Sequence, residues 1–390
     1  MSCTSGATGA APPAPPSSGP RTLEIGLIAP LSGPLSSVGL AVRDSAQLAI
    51  NEANAKGGVA GWRLVLDPVD DQGDPNAGVQ AATTLAATGR VVGVIGPVQS
   101  SVARQVAPIL SAAHVAEISP ATADPSLTRG AQYRTDPQRP YSSFFRVITT
   151  DTVQAAYAAD YAVQNLQAHT AYLVDDQQTY GLDLVDDFAR EFRQLGGQVI
   201  TTVGLPLGQK DTGALIADIA RTTPDVVYYG GQPSAAAALL KQLRLTGHPP
   251  PFLGGDVLLD PDFVKAVGTG PEQVYATQLG AAVRRMPGGS DFLQAYADAG
   301  FDSTPTTDSA LTYDATNVLL SAVASVLERH TTAGAGARAA IVQAVQGTQT
   351  TGVSGPIAFD EYGDTTSRVV TIYQIARGDL IERAMGDVSG

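Results

Sequence analysis

From Leu23 onward, short apolar β-type runs alternate with amphipathic helical stretches, and this alternation most constrains the fold. Two such series can be traced, over residues 23–118 and 152–245. The pattern is typical of a parallel α/β architecture. We therefore expect an α/β fold in which each series builds one doubly wound parallel sheet. The elements after residue 252 are expected to return, complete the first sheet and cross back.

The sequence predicts two lobes joined by a multi-segment hinge. The N-terminal lobe comprises residues 22–147 and 279–372, and the C-terminal lobe comprises residues 148–278 and 373–385. A chain of 390 residues with 44% hydrophobic content can bury two cores of ordinary size. Two lobes connected in this way enclose a cleft that can close around a ligand.

Charge and hydropathy narrow the classes of partner. The formal net charge is -13, and the arginines form no run, whereas phosphate backbones are bound by clustered cations. We therefore expect no nucleic-acid surface. Because we find no apolar stretch of 18 residues, we also expect no membrane-spanning segment.

The N-terminal residues 1–21 have the composition of a disordered tether. They are small, uncharged up to Arg21 and rich in proline, so they cannot bury enough area to fold. The single cysteine, Cys3, lies near the start of this segment and resembles the lipid-carrying start of a mature bacterial lipoprotein. Only Met1 and Ser2 precede it, without an apolar signal region. The alternative is a free thiol in a disordered tail.

Two short loops have the character of a binding site. Residues 96–101 (GPVQSS) and 119–122 (SPAT) each follow a β-type run, where a parallel sheet places its ligand-facing loops. Ser100 and Ser101 also open a helical stretch. A helix N-terminus offers free backbone N–H groups to a carboxylate or phosphate. An anionic group is therefore the first ligand feature to expect.

Several motifs in a fixed order resemble the type I periplasmic binding proteins of bacterial ABC importers, particularly the leucine/isoleucine/valine-binding branch. The resemblance covers about residues 22–385. Besides the two loops, the motifs that carry it are IAPLSGP (28–34), INEANAKGGVAG (50–61), DDQGDP (70–75), QQTYG (177–181), DVVYYGG (225–231) and GVSGPIAFDEYGD (352–364).

The resemblance implies how the first lobe holds a free amino acid. It assigns the ligand carboxylate to Ser100, with Val98 lining the pocket, and the ligand ammonium to the Ala121 carbonyl. The family's usual carboxylate-binding threonine reads as Ala123 here, and the available hydroxyl lies one place earlier, on Thr122. Ser100 could alternatively be only a helix cap.

In the second lobe the resemblance assigns the ligand ammonium to Tyr180 and Asp256. Asp256 could instead be only a helix or turn cap. Tyr313 matches a further pocket aromatic in the first lobe, with ordinary helix packing as the alternative. Gln232 and Val38 occupy positions where the family has an aromatic residue, which leaves the side-chain pocket open.

The residues indicate no enzyme. The four histidines, His114, His169, His248 and His330, have no metal-ligand spacing, and no nucleophile elbow, P-loop or dinucleotide-binding turn is found. We therefore expect neither a metal nor a cofactor. The segment 132–143 is longer than the family norm and has no function that the sequence suggests.

The resulting expectation is a monomeric, extracytoplasmic substrate-binding protein. It would be periplasmic or held by a lipid on the outer face of the cell membrane, and would contact the membrane only through that anchor. It would bind an amino acid of branched-chain type or similar and deliver it to the membrane subunits of an ABC importer. The alternatives are an amide, urea-like or aromatic-acid ligand, and a ligand sensor of the same fold.

Overall fold

The computed structural model describes residues 21–388 except 207, 210, 269, 271–272 and 329–334. Cys3, the predicted tether up to residue 20 and His330 therefore lie outside the described residues. The strands are β1 (Thr22–Ala29), β2 (Arg63–Asp70), β3 (Val91–Ile95), β4 (Ala116–Ser119), β5 (Phe144–Arg146), β6 (Thr170–Asp175), β7 (Gln198–Gly204), β8 (Val226–Gly230), β9 (Phe252–Gly254), β10 (Val274–Leu279), β11 (Gln349–Gly352), β12 (Gly355–Ala358), β13 (Val369–Ala376) and β14 (Asp379–Asp387).

The helices lie mostly between these strands, as the alternation predicts. They are α1 (Ser36–Ala55), α2 (Pro75–Ala87), α3 (Ser100–Ala112), α4 (Ser126–Arg129), α5 (Asp151–Gln164), α6 (Thr179–Gln194), α7 (Gly213–Thr222), α8 (Pro233–Arg244), α9 (Pro261–Val267), α10 (Gly289–Asp298), α11 (Thr307–Leu327) and α12 (Ala335–Gln346), with short 3-10 turns at Asp256–Leu259 and Val283–Arg285.

The first lobe contains a parallel sheet with strand order β2-β1-β3-β4-β5. Helices cover both of its faces, and separate apolar clusters form there. Asp74 caps the start of α2: its carboxylate accepts from Asn76 N at 2.6 Å, and Pro75 occupies the first helical position. The expected doubly wound architecture of this lobe is confirmed.

The second lobe contains a mixed sheet with strand order β14-β13-β10-β9-β8-β6-β7. The five strands β10, β9, β8, β6 and β7 are parallel to one another, whereas β13 pairs antiparallel with β10 and β14 pairs antiparallel with β13. The expectation that the last strands complete the first sheet is wrong. Val370 and Ile372 of β13 are fully buried in the second lobe. This apolar strand pairs with β10. β12 pairs with β11 in a separate hairpin.

These pairings move the lobe boundaries. β10 ends at Leu279 and β13 begins at Val369, so residues 279 and 369–372, which we predicted in the N-terminal lobe, belong to the sheet of the second lobe. The chain passes between the lobes after β5, after β10 and before β13. A backbone hydrogen bond from Asp151 N to Ala123 O, 3.0 Å long, ties the first of these crossings to the first lobe.

α11 meets the length and composition of a membrane-spanning helix, so the premise that the sequence has no apolar stretch of 18 residues is wrong. In the structure, 67% of its apolar window is buried inside the protein. Leu319 and Val323 lie fully within the first-lobe core. α11 is therefore a core helix in this structure.

Candidate functional site

Ser100 lies at the start of α3, immediately after the first predicted site loop. It is the first helical residue; Gln99 occupies the N-cap position, and no side chain caps the helix. The alternative role of Ser100 as a plain helix cap is therefore not what the structure shows. In the described part of the chain, the N–H groups of Ser100 and Ser101 meet no acceptor. Val98 is half-buried against the first-lobe core.

Ser119 connects the two predicted site loops. The sequence did not predict this connection. The Ser119 hydroxyl donates to Pro97 O at 2.8 Å and accepts from Thr122 N at 3.0 Å. Ala121 is half-buried beside it. The carbonyl of Ala123 is already occupied, because it accepts from Asp151 N. A serine at a strand end just before a proline was the available signal for this connection.

Thr122 is fully buried, and its hydroxyl contacts no hydrogen-bond partner among the described residues. The fully buried Arg146 fixes its backbone by donating to Thr122 O at 2.8 Å. A buried hydroxyl without a partner is costly. This unpaired hydroxyl therefore lowers the stability of the free protein unless a bound ligand supplies its hydrogen-bond partner.

We expect Thr122→Val to leave the free energy of unfolding unchanged, or to raise it by up to about 1 kcal/mol, because it removes an unsatisfied buried hydroxyl. Thr128→Val is the matched control. The Thr128 hydroxyl is equally buried but accepts from Arg146 Nη2 at 2.7 Å, so its loss should cost about 1–3 kcal/mol. Urea unfolding of both variants measures the difference, and equal losses would contradict it.

Asp256 lies in the second lobe, two residues after the end of β9, in a network with three other side chains. Its Oδ1 accepts from the Tyr180 hydroxyl at 2.8 Å and from Gln154 Nε2 at 3.1 Å. Gln154 Oε1 accepts in turn from Asp256 N at 3.1 Å and from Thr277 Oγ1 at 2.9 Å. The carboxylate is thus held in one orientation while its second oxygen accepts no hydrogen bond from the described residues.

A glycine allows this close approach. A Cβ added to Gly255 would lie 2.3 Å from the Tyr180 hydroxyl oxygen, so a larger residue would push the Asp256 loop away from Tyr180. Gln154 and Thr277 were missed by sequence reasoning. The available signal for Gln154 was its spacing of three residues from Asp151, which places Asp151 and Gln154 together at the start of α5.

The site is strongly acidic. Burial raises the pKa of Asp151 well above its usual range, and the charges of Asp256 and Asp124 raise it further. Burial and the neighbouring Asp256 also raise the pKa of Asp308, in the first turn of α11, to about 7. The pKa of Tyr180 is raised by burial and by the same carboxylates, so its hydroxyl stays protonated and donates. A cationic group would relieve this repulsion.

These carboxylates do not form a metal centre. Within residues 21–388 and outside the gaps given above, no group of three His, Cys, Asp or Glu side chains is arranged to hold a metal ion.

The structure does not bring Tyr313 to this site. Its hydroxyl donates to Glu52 Oε2 at 2.6 Å, and its ring packs against Phe292. With Glu52 and Asn317 it lines a cavity of about 690 Å³ on the first lobe that none of the other predicted ligand residues borders. Ordinary helix packing, the alternative weighed for Tyr313, describes this placement better.

The two positions that replace family aromatics lie in different surroundings. Gln232 is exposed at the start of α8, where its N–H donates to Asp176 Oδ2 at 2.9 Å. Val38 is half-buried against the first-lobe core and borders a surface cavity together with Arg43 and Phe301. The structure shows no contact between either side chain and the Asp256 network.

The long segment 132–143 bridges the lobes. Arg134 Nε donates to Asp187 Oδ1 at 2.7 Å, and Arg134 Nη2 lies 3.1 Å from Asp183 Oδ1, both on α6 of the second lobe. Asp187 is 1% exposed and also accepts from Thr152 at 3.0 Å. The segment therefore joins the first lobe to the second by a partly buried ion pair.

The comparisons with known proteins agree with this architecture. The family model for periplasmic binding proteins matches residues 22–379. The Leu/Ile/Val-binding protein BraC3 of Rhizobium johnstonii is 29% identical over 359 residues, covering 92% of this chain and 93% of that protein.

Solved structures show the same fold. The crystal structure of the leucine binding protein LivK from Thermotoga maritima has a TM-score of 0.76 at 27% identity, covering 94% of this chain and 99% of its own. A solute binding protein of an ABC transporter from R. palustris, solved with benzoate, has a TM-score of 0.72 at 18% identity and covers 94% and 96%. That second likeness shows the fold alone. With the family model spanning nearly the whole described chain, the protein belongs to the periplasmic binding protein family, in the type I branch of leucine/isoleucine/valine-binding proteins.

Proposed function

We propose that this protein is the extracytoplasmic substrate-binding component of an ABC importer, and that it captures an amino acid or a similar zwitterion between its lobes. The observation that carries the proposal is one polar feature in each lobe, and the two features have complementary chemistry. The first lobe offers the uncapped start of α3 with Ser100, and the second lobe offers the oriented Asp256 carboxylate. The first suits a carboxylate and the second an ammonium.

Binding in this arrangement favours the closed state, because only then do both lobes contact the ligand. A ligand shifts the equilibrium toward the closed state by as much as its affinity for the closed state exceeds its affinity for the open state. The protein itself performs no chemistry in this scheme. The closed form, as a monomer, is what the membrane subunits of the importer would recognise.

An aromatic acid is the second candidate ligand, since the R. palustris protein was solved with benzoate. A lone carboxylate would find Ser100 but would face Asp151, Asp256 and Asp308 without a counter-charge. Like charges at close range are unfavourable. The acidic site therefore favours a ligand that carries an amino group, over aromatic acids and over neutral amides or urea-like compounds.

A panel of ligands on the purified protein tests this proposal. Thermal-shift measurements would compare amino acids, amides and aromatic acids, because a ligand that binds the native state raises the melting temperature. We expect amino acids to give the largest shifts. A benzoate that stabilises the protein when no amino acid does would overturn the zwitterion assignment.

Two parts of the proposal concern the cell rather than the site. Lipid attachment at Cys3 would hold the protein at the outer face of the membrane, and mass spectrometry of the protein from membrane fractions would detect it. Uptake of the radiolabelled ligand distinguishes an importer component from a sensor. If the protein serves an importer, deleting its gene should abolish this uptake. Normal uptake after deletion would favour the sensor.

Ser100→Ala should weaken binding of the best ligand by about 1 kcal/mol, roughly fivefold, because backbone donors at the helix start remain. Ser101→Ala is the matched control, since Ser101 is the next residue of the same helix and is exposed. Calorimetry measures both. Equal effects of the two variants would show that the Ser100 hydroxyl does not contact the ligand.

A further inference from the structure

A cavity of about 470 Å³ lies at the hinge, where the chain crosses between the lobes. Its wall includes α4 and the loop after β12 on the first lobe, the first turn of α5 and the second half of α6 on the second lobe, and residues of two crossings. Ser100, Tyr180 and Asp256 do not border it. A cavity of this volume can hold a small molecule, and the proposed function does not use it.

Arginine is the charged residue that dominates the wall of this cavity. The four that border it are Arg129, Arg134, Arg190 and Arg368. Asp360 and Asp364 pair with Arg129, and Asp187 pairs with both Arg134 and Arg190. Among the described residues, each of these three guanidinium groups keeps one nitrogen without an acceptor, which is Nη1 in Arg129 and Arg134 and Nη2 in Arg190. The carboxylates therefore fix the side chains in place but leave donors available.

Arg368 differs from the other three arginines because its guanidinium forms no hydrogen bond or ion pair with the described residues. It is half-buried and lies directly before β13, at a crossing between the lobes. The two carboxylates that border the cavity, Asp360 and Asp364, are already paired with Arg129. Taking a cation partly out of water without a counter-charge is unfavourable. An anion in the cavity would supply the missing partner.

Two buried threonines border the same cavity. Thr149 is 6% exposed and Thr150 is 8% exposed, and neither hydroxyl forms a hydrogen bond within the described part of the chain. Thr150 is the N-cap residue of α5 but does not cap it with its side chain. The N–H groups of Thr152 and Val153, which also border the cavity, meet no acceptor among the described residues. Buried hydroxyls and a helix start thus add donors that suit an anion.

We propose that the hinge cavity is a second binding site and that it takes a small oxyanion, which presents phosphate or carboxylate oxygens to the arginines. Guanidinium groups match both kinds of anion because their N–H groups can donate in parallel pairs. Arg368 supplies the uncompensated positive charge, and Thr150 and the start of α5 supply further donors. The inference does not depend on the proposed amino-acid site, because none of the residues assigned to that site borders the cavity.

Calorimetry on the purified full chain, without any amino acid, tests the inference. Inorganic phosphate and citrate are titrated separately at neutral pH, with sodium chloride keeping the ionic strength constant, since salt screens unspecific attraction. We expect at least one of the two anions to bind with a dissociation constant of about 1 mM or tighter. Tighter binding of phosphate would identify a tetrahedral oxyanion as the ligand, and tighter binding of citrate a polycarboxylate.

Two variants locate the bound anion. Arg368→Gln should weaken anion binding by about tenfold or more, because it removes the uncompensated charge. Since the Arg368 side chain has no partner among the described residues, this variant should unfold at the wild-type temperature in the absence of the anion. Thr150→Val should weaken binding by about fivefold. Arg284→Gln is the matched control, because Arg284 is exposed, pairs with no described residue and does not border the cavity.

Three outcomes would overturn the inference. The first is that neither anion binds at millimolar concentration. The second is that Arg368→Gln and Arg284→Gln weaken binding equally, which would show attraction to the protein surface in general. The third is that Ser100→Ala weakens phosphate or citrate binding while Arg368→Gln does not, which would place the anion at the start of α3. Each of these leaves the proposed function standing, because the amino-acid panel tests that separately.

Discussion

Asp256→Ala should weaken binding of the best amino-acid ligand by about thirtyfold or more, equivalent to about 2 kcal/mol. The substitution removes the counter-charge of a ligand ammonium that has left water. It also leaves the Tyr180 hydroxyl and Gln154 Nε2, which now donate to Asp256 at 2.8 and 3.1 Å, without their acceptor. Both effects oppose binding.

Two further variants separate charge from shape. Asp256→Asn keeps the size of the side chain and an oxygen that can accept from Tyr180, so a loss of affinity in this variant reports the missing charge. Asp262→Asn removes an exposed carboxylate six residues later, and its binding should equal that of the wild type. Calorimetry on folded variants is the measurement. Normal affinity of Asp256→Ala would show that Asp256 is only a turn residue.

Much of the architecture could be predicted because it depends on local pattern. Strands such as β3 and β9 are short apolar runs, which the alternating pattern indicates as strands and which the structure has as strands. The elements that were missed depend on partners. β5 has three residues and exists through its pairing with β4. β14 alternates exposed and half-buried residues and is held at the sheet edge by β13.

The same distinction applies to the site. Ser100, Tyr180 and Asp256 were predicted through motifs of a known family, and the latter two are in direct contact. The hinge cavity could not be found in this way, since its four arginines are spread over residues 129–368 and form no run in the sequence. Short motifs report residues that are close in sequence, whereas this cavity combines α4, α6 and a crossing of the chain. Only the folded chain brings these arginines together.

Arg146→Met should lower the free energy of unfolding by about 3–5 kcal/mol, the largest stability effect expected for this protein. Arg146 ends β5 and is fully buried. Its Nε lies 2.8 Å from Asp364 Oδ1, and it donates to Thr122 O at 2.8 Å and to Thr128 Oγ1 at 2.7 Å. Methionine fills much of the volume but removes the donor to Thr122 O and to Thr128 Oγ1, and it leaves Asp364 with Arg129 as its remaining cationic partner. Removing one partner of a buried ion pair costs far more than the pair contributes.

The exposed pair of Arg90 and Glu24 provides the matched control. Its N–O distance is 2.7 Å, but the Arg90 side chain is 69% exposed. Arg90→Met should cost less than about 1 kcal/mol, because water and salt screen exposed charges. Urea unfolding at neutral pH compares the two variants. Similar losses in both would mean that burial does not strengthen the contribution of Arg146.

The effect of Arg146→Met should also depend on pH in a defined direction. Burial alone would raise the pKa of Asp364, but the charges of Arg146 and Arg129 outweigh it and leave this pKa below its usual value. Such a carboxylate stabilises the folded state above its unfolded pKa of about 4, and this contribution is lost as the pH falls through the folded value. The difference in unfolding free energy between wild type and Arg146→Met should therefore be full at pH values above about 5 and shrink in more acidic solution. A difference that stays constant down to about pH 3 would show that the lost stability does not come from the Arg146–Asp364 pair, and would assign it to the contacts with Thr122 and Thr128.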